Sequence, residues 1–135
     1  MKTGFEHQAG VVAIGVDTLD ASRISAVHQR LGHRFVQRIL TPAEQEIFQA
    51  RTHKDNFLAK QFAAKEALAK ALGTGIAKGI GFQQLEVLRD EQGAPQVSLY
   101  EAAAEQLSAL GAKRALVSLT DEGSYIVAFA LLSSD

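Results

Sequence analysis

Apolar positions fall along this chain in short alternating runs near both ends and in one long helical stretch in the middle. From Phe57 to Leu72 there is no Gly, no Pro and no β-branched residue, and Ala, Leu, Lys, Glu and Gln dominate, a composition that favours helix. At ~100° per residue, Phe57, Leu58, Phe62, Leu68, Ala69 and Leu72 share one broad apolar arc, with Lys65 inside it. Ala59, Ala63, Ala67 and Ala71 keep much of the remaining surface small enough for other backbone to come close. Such a helix belongs in a core. Upstream, Val11 to Val16 is a short β-rich run that predicts a buried strand ending at Asp17. A helix then runs from Asp17 to about Leu31, with Ile24, Val27 and Leu31 on one face, and Gly32 closes it. Thr41, Pro42 and Glu44 supply a cap, a proline at the first helical position and an acid in the first turn, so a helix to about Ala50 follows. Residues 51–56 form a polar link.

Beyond Leu72 the pattern changes. The stretch GTGIAKGIG holds four glycines in nine residues, a density that only a loop tolerates. Phe82 to Arg89 reads as a strand with Leu85 and Val87 inward, and residues 90–93 as a turn. Pro95 to Leu99 is a short return strand with proline at its start. Tyr100 to Leu110 is an Ala-rich helix closed by Gly111. Two strong strands follow, Ala115 to Thr120 and Tyr125 to Leu132, joined by a tight hairpin over residues 121–124. The second is apolar on both faces from Ile126 onward. One face suits the central helix; the other needs a further cover, such as a second subunit. The pattern predicts an α+β fold, a single domain with an antiparallel sheet wrapped on a long central helix. Residues 1–10 read as a disordered leader and 11–135 as the domain.

Size and charge narrow the function classes. A chain of 135 residues is long enough for one core and short for two. The net charge is −1, which gives no global drive toward nucleic acid or a membrane surface, and no apolar run reaches the ~18 residues of a membrane span. The first residues, MKTGFEHQAG, lack the apolar core of a signal peptide. With no cysteine there is neither a disulfide framework nor thiolate chemistry. A cytoplasmic protein is expected. The histidines (His7, His28, His33, His53) show no zinc-ligand spacing. One concentrated basic region exists, with Arg23, Arg30, Arg34 and Arg38 and no acid between Ala21 and Arg38; it is either a solvated face or a landing site for an acidic partner.

Two features carry candidate chemistry. Glu66 and Lys70 lie one helical turn apart at the edge of the apolar arc, directly before GTG. Taken alone they are an i,i+4 ion pair worth ~0.2–0.5 kcal/mol, with Gly73 as the helix C-cap. Asp17, at the end of the first strand, has two roles open to it: a helix N-cap or a metal ligand at a strand end. The glycine loop is not a phosphate-cradling Walker loop, because no Gly-Lys-Ser/Thr follows.

Taken together these stretches resemble a known family. Gly15-Val16-Asp17 with Arg23-Ile24, then Arg34-Phe35 and Arg38-Ile39-Leu40-Thr41, resemble the opening of the bacterial holo-(acyl-carrier-protein) synthases, which are 4′-phosphopantetheinyl transferases. FLAKQFAAKEALAKALGTGI resembles their signature helix and loop, and GFQQLEVLRDEQGAP and VSLTDEGSYIVAF resemble their later strands. The likeness runs from about Val11 to Leu132. It implies the 4′-phosphopantetheinyl transferase fold and transfer of the phosphopantetheine arm of coenzyme A to a serine of acyl carrier protein, in support of fatty acid biosynthesis. It also implies release of adenosine 3′,5′-bisphosphate and a need for Mg²⁺. By the same resemblance Asp17 and Glu66 are metal ligands, and Lys70 stands near the diphosphate. Lys65, Gly75, Ile76, Phe82 and Pro95 line the coenzyme A cleft, and Arg23 and Arg34 receive the acidic carrier protein. The resemblance further implies a homotrimer with sites between subunits.

Hard oxygen ligands around a diphosphate suit Mg²⁺, which keeps several waters. A water at such a site, or Glu66 through it, would accept the serine proton, and Lys70 would stabilise or protonate the departing phosphate. Three positions depart from the family. Gln61 stands where Arg is frequent, Gly123 where a bulkier residue is common, and Ala94 where lysine is usual. A guanidinium lost beside a phosphate would weaken coenzyme A binding by ~1.5–3 kcal/mol, with Lys60 able to compensate in part. Two alternatives stand beside the transferase: a catalytically degenerate module that binds carrier protein or coenzyme A, and a purely structural oligomeric domain.

Overall fold

The computed structural model describes residues 10–135. The chain runs β1 (Val11–Asp20), α1 (Ala21–Leu31), α2 (His33–Ile39), α3 (Pro42–Ala50), α4 (Lys54–Ala71), a 3-10 turn (Phe82–Gln84), β2 (Leu85–Arg89), β3 (Pro95–Leu99), α5 (Glu101–Ala109), β4 (Arg114–Glu122) and β5 (Tyr125–Ser133). The expected leader over 1–10 lies outside the described residues except for Gly10. That residue is tied down, its N–H donating to the Ser134 hydroxyl at 2.9 Å.

β5 lies between β1 and β4 and is antiparallel to both. Its inner positions, Ile126, Ala128, Ala130 and Leu132, are buried because α4 packs across that face. Small residues on both surfaces let helix and sheet come close. The outer face is different: Val16 is 52% exposed, Ile14 59% and Phe129 42%. The antiparallel register aligns Ile14, Leu131 and Leu116 in one row and Val16, Phe129 and Ser118 in the next. β2 and β3 form a separate two-stranded ribbon, with Leu85 opposite Leu99 and Arg89 opposite Pro95.

Several elements differ from the sequence expectation, each for a local reason. β1 continues three residues past Asp17, with Gly15 and Leu19 buried on its inner face. Asp20 is the cap of α1, its Oδ1 accepting the Ser22 N–H at 3.0 Å. Asp17 is thus a mid-strand residue, and the N-cap role open to it is filled elsewhere. α2 was not foreseen; Phe35, Val36 and Ile39 bury one side of a seven-residue helix that has no side-chain cap at its start. α4 begins at Lys54, so half of the polar link is helix, again without a side-chain cap. Residues 82–84 are a 3-10 turn that precedes a shorter β2. β4 and β5 run closer together than expected and leave only Gly123 and Ser124 between them, with Gly123 at φ 62°. The predicted cap of α3 is present as a full capping box between Thr41 and Glu44.

Candidate active site

The site begins with a missing side chain. A Cβ on Gly15 would sit 2.2 Å from the Ala67 carbonyl oxygen and 2.6 Å from the Ala71 nitrogen, so only glycine lets β1 lie this close to α4. Two residues on, along the same inner face, Asp17 meets the helix. The Lys70 ammonium donates to Asp17 Oδ1 and to the Val16 carbonyl, both at 3.1 Å. Asp17 is 15% exposed and Lys70 52%, so the pair joins a largely covered carboxylate to an ammonium that reaches solvent. Glu66, one turn before Lys70, is half-buried. Its pKa is raised above the ordinary glutamate value of 4.5, first by burial and then by the charge of Asp17, with Lys70 pulling it back. Two carboxylates and one ammonium therefore share one field, with negative charge in excess. The three residues singled out in the sequence are brought together.

That donor set fits a hard divalent cation. Among the described residues no group of three or more His, Asp or Glu side chains stands ready to enclose a metal. A pair of carboxylates leaves the remaining positions of an octahedral ion to water and substrate oxygens, which is the usual manner of holding Mg²⁺.

The other expected site residues fall in two places. Gly75, at φ 64°, and Ile76 lie in the loop after α4. Phe82 follows at the loop's far end, with its ring 5.3 Å from that of Phe62. Pro95 opens β3 at the opposite end of the β2–β3 ribbon. There it lines a cavity of about 260 Å³ with Lys60, Arg89, Gly93 and residues 117–119. Pro95 thus stands apart from the loop that carries Gly75, Ile76 and Phe82. A larger cavity of about 410 Å³ at the amino end of α4 is walled by Arg51, His53, Asn56, Lys60 and Arg89. Arg23 and Arg34 are exposed, on α1 and α2 respectively.

Lys65 is the residue whose setting differs most from the resemblance. Its side chain is fully buried, and its ammonium donates to the Ile39 carbonyl at 2.6 Å, Glu44 Oε1 at 2.6 Å and the Phe82 carbonyl at 3.1 Å. An ammonium has three protons, so none is left for a phosphate. Burial pushes its pKa down, and Glu44 pulls it back up. Glu44, also fully buried, accepts four bonds: the Thr41 N–H and Lys65 on Oε1, and Gln61 Nε2 and the Val87 N–H on Oε2. Sequence reasoning saw only its capping role. Lys65 inside an apolar arc was the available signal, since a buried ammonium requires a buried acid. Gln61 belongs to the same knot, donating to Glu44 and to the Val87 carbonyl and accepting from Arg89 at 3.2 Å. It is a core residue, and no guanidinium is missing from a phosphate pocket at that point.

Comparison with known proteins identifies the family and the fold. A family model described as the 4′-phosphopantetheinyl transferase superfamily matches residues 13–130. The holo-(acyl-carrier-protein) synthase of Shewanella frigidimarina is 44% identical over 124 residues, 92% of this chain and 98% of the relative. The crystal structure of the corresponding synthase from Neisseria meningitidis superposes with a TM-score of 0.84 at 36% identity, covering 90% of this chain and 98% of that one. The synthase from Bacillus anthracis, solved in complex with CoA (3′,5′-ADP), gives a TM-score of 0.77 at 30% identity over 94% of this chain and 100% of that one.

Proposed function

The chain belongs to the 4′-phosphopantetheinyl transferase superfamily, and we propose that it works as a holo-(acyl-carrier-protein) synthase whose metal ligands are Asp17 and Glu66. It moves the phosphopantetheine arm of coenzyme A onto apo acyl carrier protein. The observation that carries the site assignment is the meeting of Asp17, Glu66 and Lys70 across the Gly15 contact. When bound, Mg²⁺ would neutralise and orient the diphosphate of coenzyme A.

The residues of the chain supply the rest. The carrier serine hydroxyl attacks the β-phosphorus, and its oxygen–phosphorus bond forms as the bond to the bridging oxygen breaks. A water at the site, or Glu66 through that water, would take the serine proton. The bridging oxygen leaves on adenosine 3′,5′-bisphosphate, and the Lys70 ammonium stabilises the charge that develops there. Asp17 holds Lys70 in place and supplies the second carboxylate. Gly75, Ile76 and Phe82 on one protomer and Pro95 on its neighbour would line the coenzyme cleft.

A homotrimer follows from the same reading. The outer face of the β1–β5–β4 sheet exposes Ile14, Val16, Leu116, Val127 and Phe129, an apolar patch that calls for cover. Separation of Pro95 from Phe82 within one protomer supports sites shared between subunits. Arg23 and Arg34 would receive the acidic carrier protein, and a cytoplasmic role in fatty acid biosynthesis fits. The test is direct. Coenzyme A, Mg²⁺ and apo carrier protein are incubated with the enzyme, and the carrier is weighed by mass spectrometry. A gain of one phosphopantetheine arm is expected; binding without that gain would make the chain a degenerate binding module.

A further inference from the structure

The loop between Gly73 and Gln84 forms the wall assigned above to coenzyme A, and it is tethered at both ends. At its start the Thr74 and Gly75 N–H groups donate to the Ala69 carbonyl at 3.3 and 3.0 Å. Its middle bonds mostly to itself, Ala77 to Gly75 and Ile80 to Ala77. At its end the Lys65 ammonium takes the Phe82 carbonyl, and the Gln83 amide reaches the carbonyls of Gln37 and Leu40. Lys65 cannot hold Phe82 without a counter-charge in a fully buried site, and Glu44 is that charge.

We propose that Lys65 and Glu44 are positioning residues for the coenzyme side of the reaction. The Lys65 ammonium, held by Glu44, anchors the Phe82 carbonyl to α4 and fixes the loop against which coenzyme A lies. Lys65 thus acts on the coenzyme through Phe82, without touching it. The physical argument is one of cost. A buried ion pair is a poor source of stability compared with apolar residues of similar volume. This one, however, fastens four backbone groups, at Ile39, Thr41, Phe82 and Val87, to one another and to the catalytic helix. The inference rests on the transferase reading and on Phe82 lining the cleft.

Lys65→Met is the informative variant. It keeps an unbranched apolar stem and leaves the Glu44 carboxylate with its three other donors. Steady-state transfer to apo carrier protein is measured by mass spectrometry, well below the melting temperature of each protein. KM for coenzyme A should rise about tenfold, a change of ~1.4 kcal/mol. KM for the carrier protein should stay within about twofold and kcat within about threefold. Glu44→Gln should show the same split. A fall in apparent kcat that tracks only the folded fraction, with both KM values unchanged, would reduce the pair to a folding element and overturn the proposal, as would loss of fold in both variants. A wild-type protein that transfers nothing would sink the transferase reading itself, whereas an active wild type with unsplit variants would sink only the positioning role.

Discussion

Two lysine–carboxylate clusters sit on adjacent positions of α4 and behave in opposite ways. Lys65 and Glu44 are fully buried, 2.6 Å apart, with every donor and lone acceptor site engaged by protein. Glu66 and Lys70, with Asp17 on β1 beside them, are only partly covered and set two negative charges against one positive. A closed cluster has nothing left with which to bind a ligand. An open one, carrying a surplus charge at some cost to the fold, is set up to receive a cation. Lysine and carboxylate are common to both. Satisfaction of charge distinguishes structure from chemistry here.

The comparison can be broken in several places. Glu66→Gln should have the largest effect, lowering turnover by ~10³-fold or more through loss of charge at the reacting phosphate, with the fold intact. It should also raise the melting temperature. Because the native carboxyl titrates above 4.5, its protonated form is favoured by folding. That contribution is complete at lower pH and is lost as pH rises through the raised value. The stability gap between variant and wild type should therefore widen as pH rises above about 4.5, which urea melts across pH would show. Glu44→Ala, in the closed cluster, should instead cost roughly 3–5 kcal/mol of stability by leaving Lys65 unpaired, readable in the same melts. Gly15→Ala should cost ~1–3 kcal/mol by overpacking against Ala67 and Ala71 and should reduce turnover as β1 is forced outward and Asp17 with it. The smallest effect belongs to Arg23→Glu, outside both clusters. KM for the carrier protein should rise several-fold at low salt and converge on wild type at high salt; an effect confined to coenzyme A would remove Arg23 from docking.

How far this was legible in the sequence depended on whether a feature was local. The core helix, the final hairpin and the α3 capping box each rest on neighbours in the chain, and the spacing of apolar residues or a cap disclosed them. Glu66 and Lys70 were visible as one turn of helix, and their partnership with Asp17 rested on the resemblance. β1 hid its last residues because Asp17 and Asp20 interrupt the apolar run, although Gly15 and Leu19 preserve its alternation on the inner face. α2 and the first turn of α4 begin without side-chain caps, so nothing local announced them. The role of Glu44 was the least legible. Its partners, Gln61, Lys65 and Val87, lie 17 to 43 residues away, and only the fold brings them together.

Binding of a divalent ion tests the open cluster most directly. Mn²⁺ is titrated into wild type, Glu66→Gln and Lys65→Met with coenzyme A present, and free ion is followed by electron paramagnetic resonance. Wild type and Lys65→Met should bind one ion per active site, and Glu66→Gln should bind at least about tenfold more weakly, a loss of ~1.4 kcal/mol. Equal affinity in wild type and Glu66→Gln would contradict the assignment of Asp17 and Glu66 as the metal's ligands.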